Sequence, residues 1–183
     1  KPTPTMATTK WISDPAHSEV QFKVRHLMIT TVTGYFHKFN VEVETEGEDF
    51  HNTKSVLFTA DVDSIGTNNE QRDTHLKSAD FFDAANHAEV RFEGKDYDEL
   101  EPGFEKLNGD LTIRGTTRPI TLNIEFHGIV VDPYGQTKAG FSVDGKVNRK
   151  DFGLMWDAVT EAGSVVVSDE IRVHCEIQLI KQN

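Results

Sequence analysis

Leu107-Asn108-Gly109-Asp110-Leu111-Thr112-Ile113 and, after a turn, Ile120-Thr121-Leu122-Asn123-Ile124-Glu125-Phe126 place apolar residues or glycine at every second position and polar residues between them. Period two marks extended strands with one dry and one wet face. The same alternation recurs in Val20/Phe22/Val24, Tyr35/His37/Phe39/Val41/Val43, Val56/Phe58/Ala60/Val62, Val90/Phe92, Phe141/Val143/Gly145/Val147 and Ile171/Val173/Cys175/Ile177/Leu179. A sheet with one dry face must cover it, and closing on itself also removes the exposed edges. The pattern therefore predicts an all-β fold, an eight-stranded antiparallel barrel. At about eight strands the interior is either filled by side chains or just wide enough for one small ligand.

The 183 residues suit one domain, with no linker or internal repeat to divide it. We expect a flexible N-terminal segment over residues 1–9 and the barrel over 10–183. A net charge of −11 disfavours nucleic acid and anionic membrane surfaces as partners. No run approaches the roughly 20 apolar residues of a membrane-spanning helix. Cys175, the one cysteine, lies in the apolar row of the last strand and reads as a small core residue. Residues 1–10 show no signal-peptide pattern, and Met6-Ala7 reads as a native start after a short added remnant. The expectation is a cytoplasmic protein, or a periplasmic one if a signal was removed ahead of residue 1.

One helix is expected, over Asn68–Ser78, opened by Thr67 and Glu70 in capping-box spacing. Phe81 and Phe82 follow it, where a solvated loop would carry no aromatic pair, and are expected to lie over a barrel end. The connection from Asn148 to Asp169 is also apolar, with Phe152, Leu154, Met155, Trp156 and then Val165-Val166-Val167. Asn108-Gly109 could form a hairpin turn, but the phase kept by Leu107, Leu111 and Ile113 favours a continuous strand.

The motifs of common enzymes do not occur: the chain has no GxSxG, no HExxH and no phosphate-cradling glycine loop. Its eight histidines are scattered, and the carboxylate pairs Glu48-Asp49 and Asp98-Glu99 sit in polar connections. The exceptions to the alternation are more informative. His26 and His37 fall in apolar rows, at strand ends or near a cavity mouth, and Gly109 and Gly145 remove side-chain volume from inward positions.

Specific strings then come into play. Trp11-Ile12-Ser13-Asp14-Pro15-Ala16-His17-Ser18, Val32-Thr33-Gly34-Tyr35-Phe36, Arg72-Asp73-Thr74-His75-Leu76-Lys77-Ser78-Ala79-Asp80-Phe81-Phe82-Asp83, Gly109-Asp110-Leu111-Thr112-Ile113-Arg114-Gly115 and Asn148-Arg149-Lys150-Asp151-Phe152-Gly153-Leu154 run in order along the chain. In these blocks the sequence resembles the YceI-like family. The resemblance implies a lipocalin-like extended barrel with short helices near its mouth, often dimeric. It also implies a polyisoprenoid ligand, an isoprenoid quinone or polyprenyl phosphate, in an apolar tunnel.

On that basis the expected function is non-catalytic binding, transport or storage of a long-chain polyisoprenoid, with no cofactor other than the bound lipid. The wall residues are Phe22, Val24, Phe58, Phe92, Leu111, Ile113, Phe126, Phe141 and Val143. Phe81, Phe82, Phe152, Leu154 and Trp156 would frame the mouth. His26, Tyr35, Arg72 and Arg149 are the candidates for the head group, the arginines because guanidinium pairs bidentately with phosphate. Arg72 could equally pair with Asp73, and Arg149 with Asp151. The alternatives are an enzyme acting on an isoprenoid or quinone in the same pocket, with His26 as its candidate titratable group, and a filled barrel serving as an interaction module.

Overall fold

A computed structural model describes residues 7–157 and 167–183. Among the described residues, eleven strands form one antiparallel sheet that closes on itself: β1 (Thr8–Ser13), β2 (Glu19–His26), β3 (Thr30–Phe36), β4 (Phe39–Glu46), β5 (Asp49–Asp61), β6 (Ile65–Gly66), β7 (Glu89–Glu101), β8 (Phe104–Ile113), β9 (Thr116–Val131), β10 (Thr137–Asn148) and β11 (Glu170–Lys181). They occupy eight barrel positions, because β1/β2, β3/β4 and β5/β6 each share one. Along the edge of β11, β2 pairs with Arg172–Glu176 and β1 with Leu179–Lys181, so the first and last positions meet and the barrel closes. The order is an up-and-down meander, and its closure into eight positions is what the alternation predicts.

The shared positions are kinked. Pro15 opens a 3-10 turn, Pro15–His17, between β1 and β2, where Asp14 caps the turn by accepting from Ala16 N–H. Asp14 also binds the Lys138 ammonium at 2.9 Å and His17 Nδ1 at 2.8 Å, tying β10 to this corner. The second kink, at His37-Lys38, shifts the phase of the alternation. Phe39, Val41 and Val43 continue one row, but Phe36 takes the inward place and Tyr35 and His37 turn outward, where their rings stack at 6.0 Å.

β1 begins at Thr8, inside the segment expected to be flexible, and residues 1–6 lie outside the described residues. The helix, α1 (Glu70–Lys77), is shorter than expected and is capped by Asn69, whose side chain accepts from Arg72 N–H, rather than by Thr67. β8 runs without interruption through Asn108-Gly109.

Two apolar clusters fill the barrel ends. Val62, Phe81, Val90, Phe152 and Leu154 pack at the end that carries α1. Trp11, Val43, Phe50, Ile177 and Leu179 pack at the other. Among the described residues, no helix is long and apolar enough to cross a membrane.

Candidate functional site

Between the two clusters the barrel is hollow. The cavity measures about 430 Å³ and is walled by the inward rows of β2, β4, β5 and β7–β11. That volume lies within the range of small-molecule sites. Fifteen of the eighteen residues singled out from the sequence line it: Phe22, Val24, His26, Phe58, Arg72, Phe81, Phe82, Phe92, Leu111, Ile113, Phe141, Val143, Arg149, Leu154 and Trp156. The reading of a solidly filled barrel does not survive this space.

Three residues lie elsewhere. Tyr35 belongs to a separate surface depression with Pro15, Glu19 and His37, because the kink after β3 turns it outward. Phe126 stacks on Phe141 at 5.0 Å and meets Phe50 at 5.5 Å, packing into the closed end. Phe152, 1% exposed, is consumed by the opposite cluster.

Glycine shapes the wall differently from the expectation that it empties space. A Cβ at Gly34 would lie 2.2 Å from Phe22 Cζ, and one at Gly109 would lie 2.5 Å from Phe92 Cζ. Each ring occupies the place of the missing side chain, against the wall instead of across the lumen. Leu122 does the same over Gly145, 2.6 Å from where a Cβ would stand. The hollow is therefore smooth-sided, and the phenylalanines line it without blocking it.

The end that carries α1 is aromatic and basic. His75 meets Phe81 and Trp156 edge-on, at 5.2 and 4.8 Å, and Phe82 meets Phe36 edge-on at 6.1 Å. Arg114 donates to Phe81 O at 3.0 Å and so pins the loop that carries both phenylalanines. Arg72 and Asp73 do not pair with each other; both hold Thr67. Arg72 Nε donates to Thr67 Oγ1 and Nη2 to Thr67 O, at 2.7 and 2.6 Å, while Asp73 accepts from Thr67 N–H and O–H. This clamp fixes the guanidinium at the rim of the cavity. His26 also lines the cavity and bridges to Val167, the described end of the apolar stretch whose Val165 and Val166 lie outside the described residues.

Arg149 has a different role from the one expected. It is 2% exposed, and its guanidinium donates to the carbonyls of Leu154 (2.6 Å), Trp156 (2.7 Å), Ser168 (3.0 Å) and Val167 (3.4 Å). Among the described residues its nearest carboxylates are Asp169 at 3.6 Å and Asp157 at 3.9 Å, not Asp151. With most of its donors taken up by backbone, it holds the rim segments together.

The far end of the cavity is closed. Trp11, 0% exposed, donates through Nε1 to Thr45 Oγ1 and packs on Phe50 at 4.8 Å; Phe50 meets Phe141 at 4.9 Å. The Tyr97 hydroxyl accepts from Thr53 N–H and faces the carbonyls of Thr53 and Phe50 at 3.0 and 3.2 Å. That bonding draws the start of β5 inward and seats Phe50 as a plug. Beside the plug, Glu105 enters the lining with Tyr97 and Thr53. The sequence reading missed all four, because Phe50 sits among polar residues and Glu105 is charged. The available signal was phase: Glu105 extends the row Leu107/Gly109/Leu111/Ile113 by one step.

The Cys175 thiol also lines the cavity, and burial, helped by the charges of Asp144 and Glu176, pushes it up to about 12. Such a thiol is protonated and inert at neutral pH. Among the described residues no group of three or more His, Cys, Asp or Glu is placed to hold a metal ion.

Comparison with known proteins agrees with this architecture. The YceI-like domain matches residues 11–179. A UPF0312 protein of Staphylococcus epidermidis is 34% identical over 176 residues, covering 96% of this chain and 99% of that one. The YCEI protein of Campylobacter jejuni superposes with a TM-score of 0.75 at 29% identity, over 87% of this chain and 90% of its own. A polyisoprenoid-binding domain from Saccharophagus degradans shares the fold at a TM-score of 0.63 and 14% identity, over 94% of this chain and 98% of that one. A hollow meander barrel with an aromatic rim, matched from Trp11 to Leu179, belongs to the YceI-like family.

Proposed function

We propose that the protein binds a polyisoprenoid lipid, an isoprenoid quinone or polyprenyl phosphate, and carries or stores it without transforming it. The observation that carries this reading is the smooth apolar hollow of about 430 Å³, closed at one end and rimmed by aromatic and basic residues at the other. The tail would enter past Phe81, Phe82 and Trp156, and the head would stay at the rim beside Arg72 and His26. The polyisoprenoid-binding description of the S. degradans neighbour supports the same ligand class.

The volume bounds how much tail the barrel holds. A cavity of about 150 Å³ accommodates one six-carbon ring, so this one holds about three groups of that size, or roughly three five-carbon isoprene units. At about 0.8 kcal/mol per buried CH₂, three units contribute up to about 12 kcal/mol before the costs of association and ordering. The remainder of a longer chain would lie outside the rim.

Titration with farnesyl phosphate, read by the emission of Trp156 at the rim, tests this directly. Saturable one-to-one binding that Val143→Trp abolishes without loss of the fold is the expected result. Unchanged affinity in that variant would place the ligand outside the barrel.

A further inference from the structure

The lumen is apolar along its length but not at its floor. β8 carries Ile113 at the aromatic rim and Glu105 eight residues back, about 27 Å along the strand at roughly 3.4 Å per residue. With barrel strands tilted by about 40°, the two lie roughly 20 Å apart along the barrel axis. Beyond Glu105 there is no continuation, since Trp11, Phe50, Phe126 and Phe141 fill the rest of that end.

Glu105 is set into this floor rather than hung in solvent. Its side chain is 17% exposed, and it pairs with His51, whose Nδ1 lies 3.4 Å from its Oε1. Burial raises the carboxyl above its ordinary value, more than the neighbouring His51 lowers it. Tyr97 and Thr53 line the cavity beside it. An aliphatic chain end pressed against this carboxylate would strip its remaining water and return no hydrogen bond, which is the costly way to bury a charge.

We propose that Glu105 is a chain-length determinant: its carboxylate at the closed end of the lumen stops an apolar tail and limits how many isoprene units the barrel takes up. This rests on the lipid-binding reading above and adds to it the residue that selects among isoprenoids. Specificity of this kind comes from a penalty against the longer ligand, not from a better contact to the shorter one.

The test is a ladder of isoprenols with two to six units, titrated against the native protein, Glu105→Leu and Glu105→Gln, with unfolding midpoints recorded for each. In the native protein affinity should rise up to about three units and then level off. Glu105→Leu removes the charge without opening space beyond the aromatic floor, so affinity should go on rising to the longest isoprenol that reaches the floor, which should bind at least tenfold more tightly than it does to the native protein. Glu105→Gln, which keeps the shape and removes the charge, should fall between the two, and it decides the matter if the leucine variant does not fold. Identical length profiles for all folded proteins would overturn the role of Glu105 while leaving lipid binding intact. Absence of binding across the ladder in every protein would overturn the lipid-binding reading and the length limit with it.

Discussion

Replacing Arg149 by Met separates a structural role from a ligand-binding one. The guanidinium is 2% exposed and is held by four carbonyls, of Leu154, Trp156, Ser168 and Val167, with Asp169 3.6 Å away. Methionine preserves the length and apolar stem but leaves those carbonyls without donors. Each hydrogen bond to a charged group is worth about 1.5–3 kcal/mol, but the four act as one unit and do not add. Removing one partner from a buried charged network typically costs about 3–5 kcal/mol. For a domain of this size each kcal/mol lowers the melting temperature by about 2–4 °C, so a fall of about 10 °C is expected. Thermal and urea unfolding of lipid-free protein supply the assay. A loss below about 1 kcal/mol, accompanied by loss of affinity for a phosphorylated isoprenoid, would refute the reasoning and return Arg149 to the head group.

Arg72→Ala should behave in the opposite way, weakening farnesyl phosphate about tenfold or more relative to farnesol while shifting the melting temperature by only a few degrees, as measured by paired titrations. Asp14 supplies an acid-sensitive tie: hydrogen bonding to Lys138, then to His17 and Ala16 N–H, holds its carboxyl at about 2 against the opposing effect of burial. Because the folded value lies below the unfolded one, this stabilisation is complete above about pH 4–5 and is lost as pH falls towards 2. It is worth at most about 2 kcal/mol and less after solvent screening, so urea midpoints across pH 2–6 should fall less steeply in Asp14→Asn than in the native protein. Cys175, raised to about 12 and facing the lumen, should react with a charged disulfide reagent far more slowly than a free thiol. Its reaction with an apolar maleimide should slow further when an isoprenoid occupies the barrel, as followed by mass.

The strands were legible because burial on one face imposes period two; β8, β10 and β11 keep that phase, and β9 keeps it from Ile120 to Phe126, up to the bulge opposite Gly140 and Phe141. The rows failed where the chain kinks. The alternation puts Tyr35 and His37 inside, because the shift at His37-Lys38 depends on how two half-strands meet around the barrel, which no local window contains. Phe126 and Phe152 point to the apolar side as expected, but whether an apolar residue lines a void or fills an end depends on what reaches it from distant strands. Phe126 lies against Phe50 and Phe141, and Phe152 against the cluster around Phe81 and Val90. Arg149 shows the same limit for charge. Its sequence neighbourhood offered Asp151, whereas its partners are carbonyls up to nineteen residues away. Glu105 and Tyr97 were hidden in a hairpin whose exposed acids, such as Asp98 and Glu99, made the whole segment read as solvated.

On the reading proposed above, the hollow of the barrel serves to hold a polyisoprenoid. Purifying the protein from cells without detergent, extracting it with organic solvent and identifying the extract by mass spectrometry against the Val143→Trp variant tests it most directly. About one isoprenoid lipid per chain is expected in the native protein and little in the variant. A native protein that yields no lipid, or equal amounts from both proteins, would contradict it.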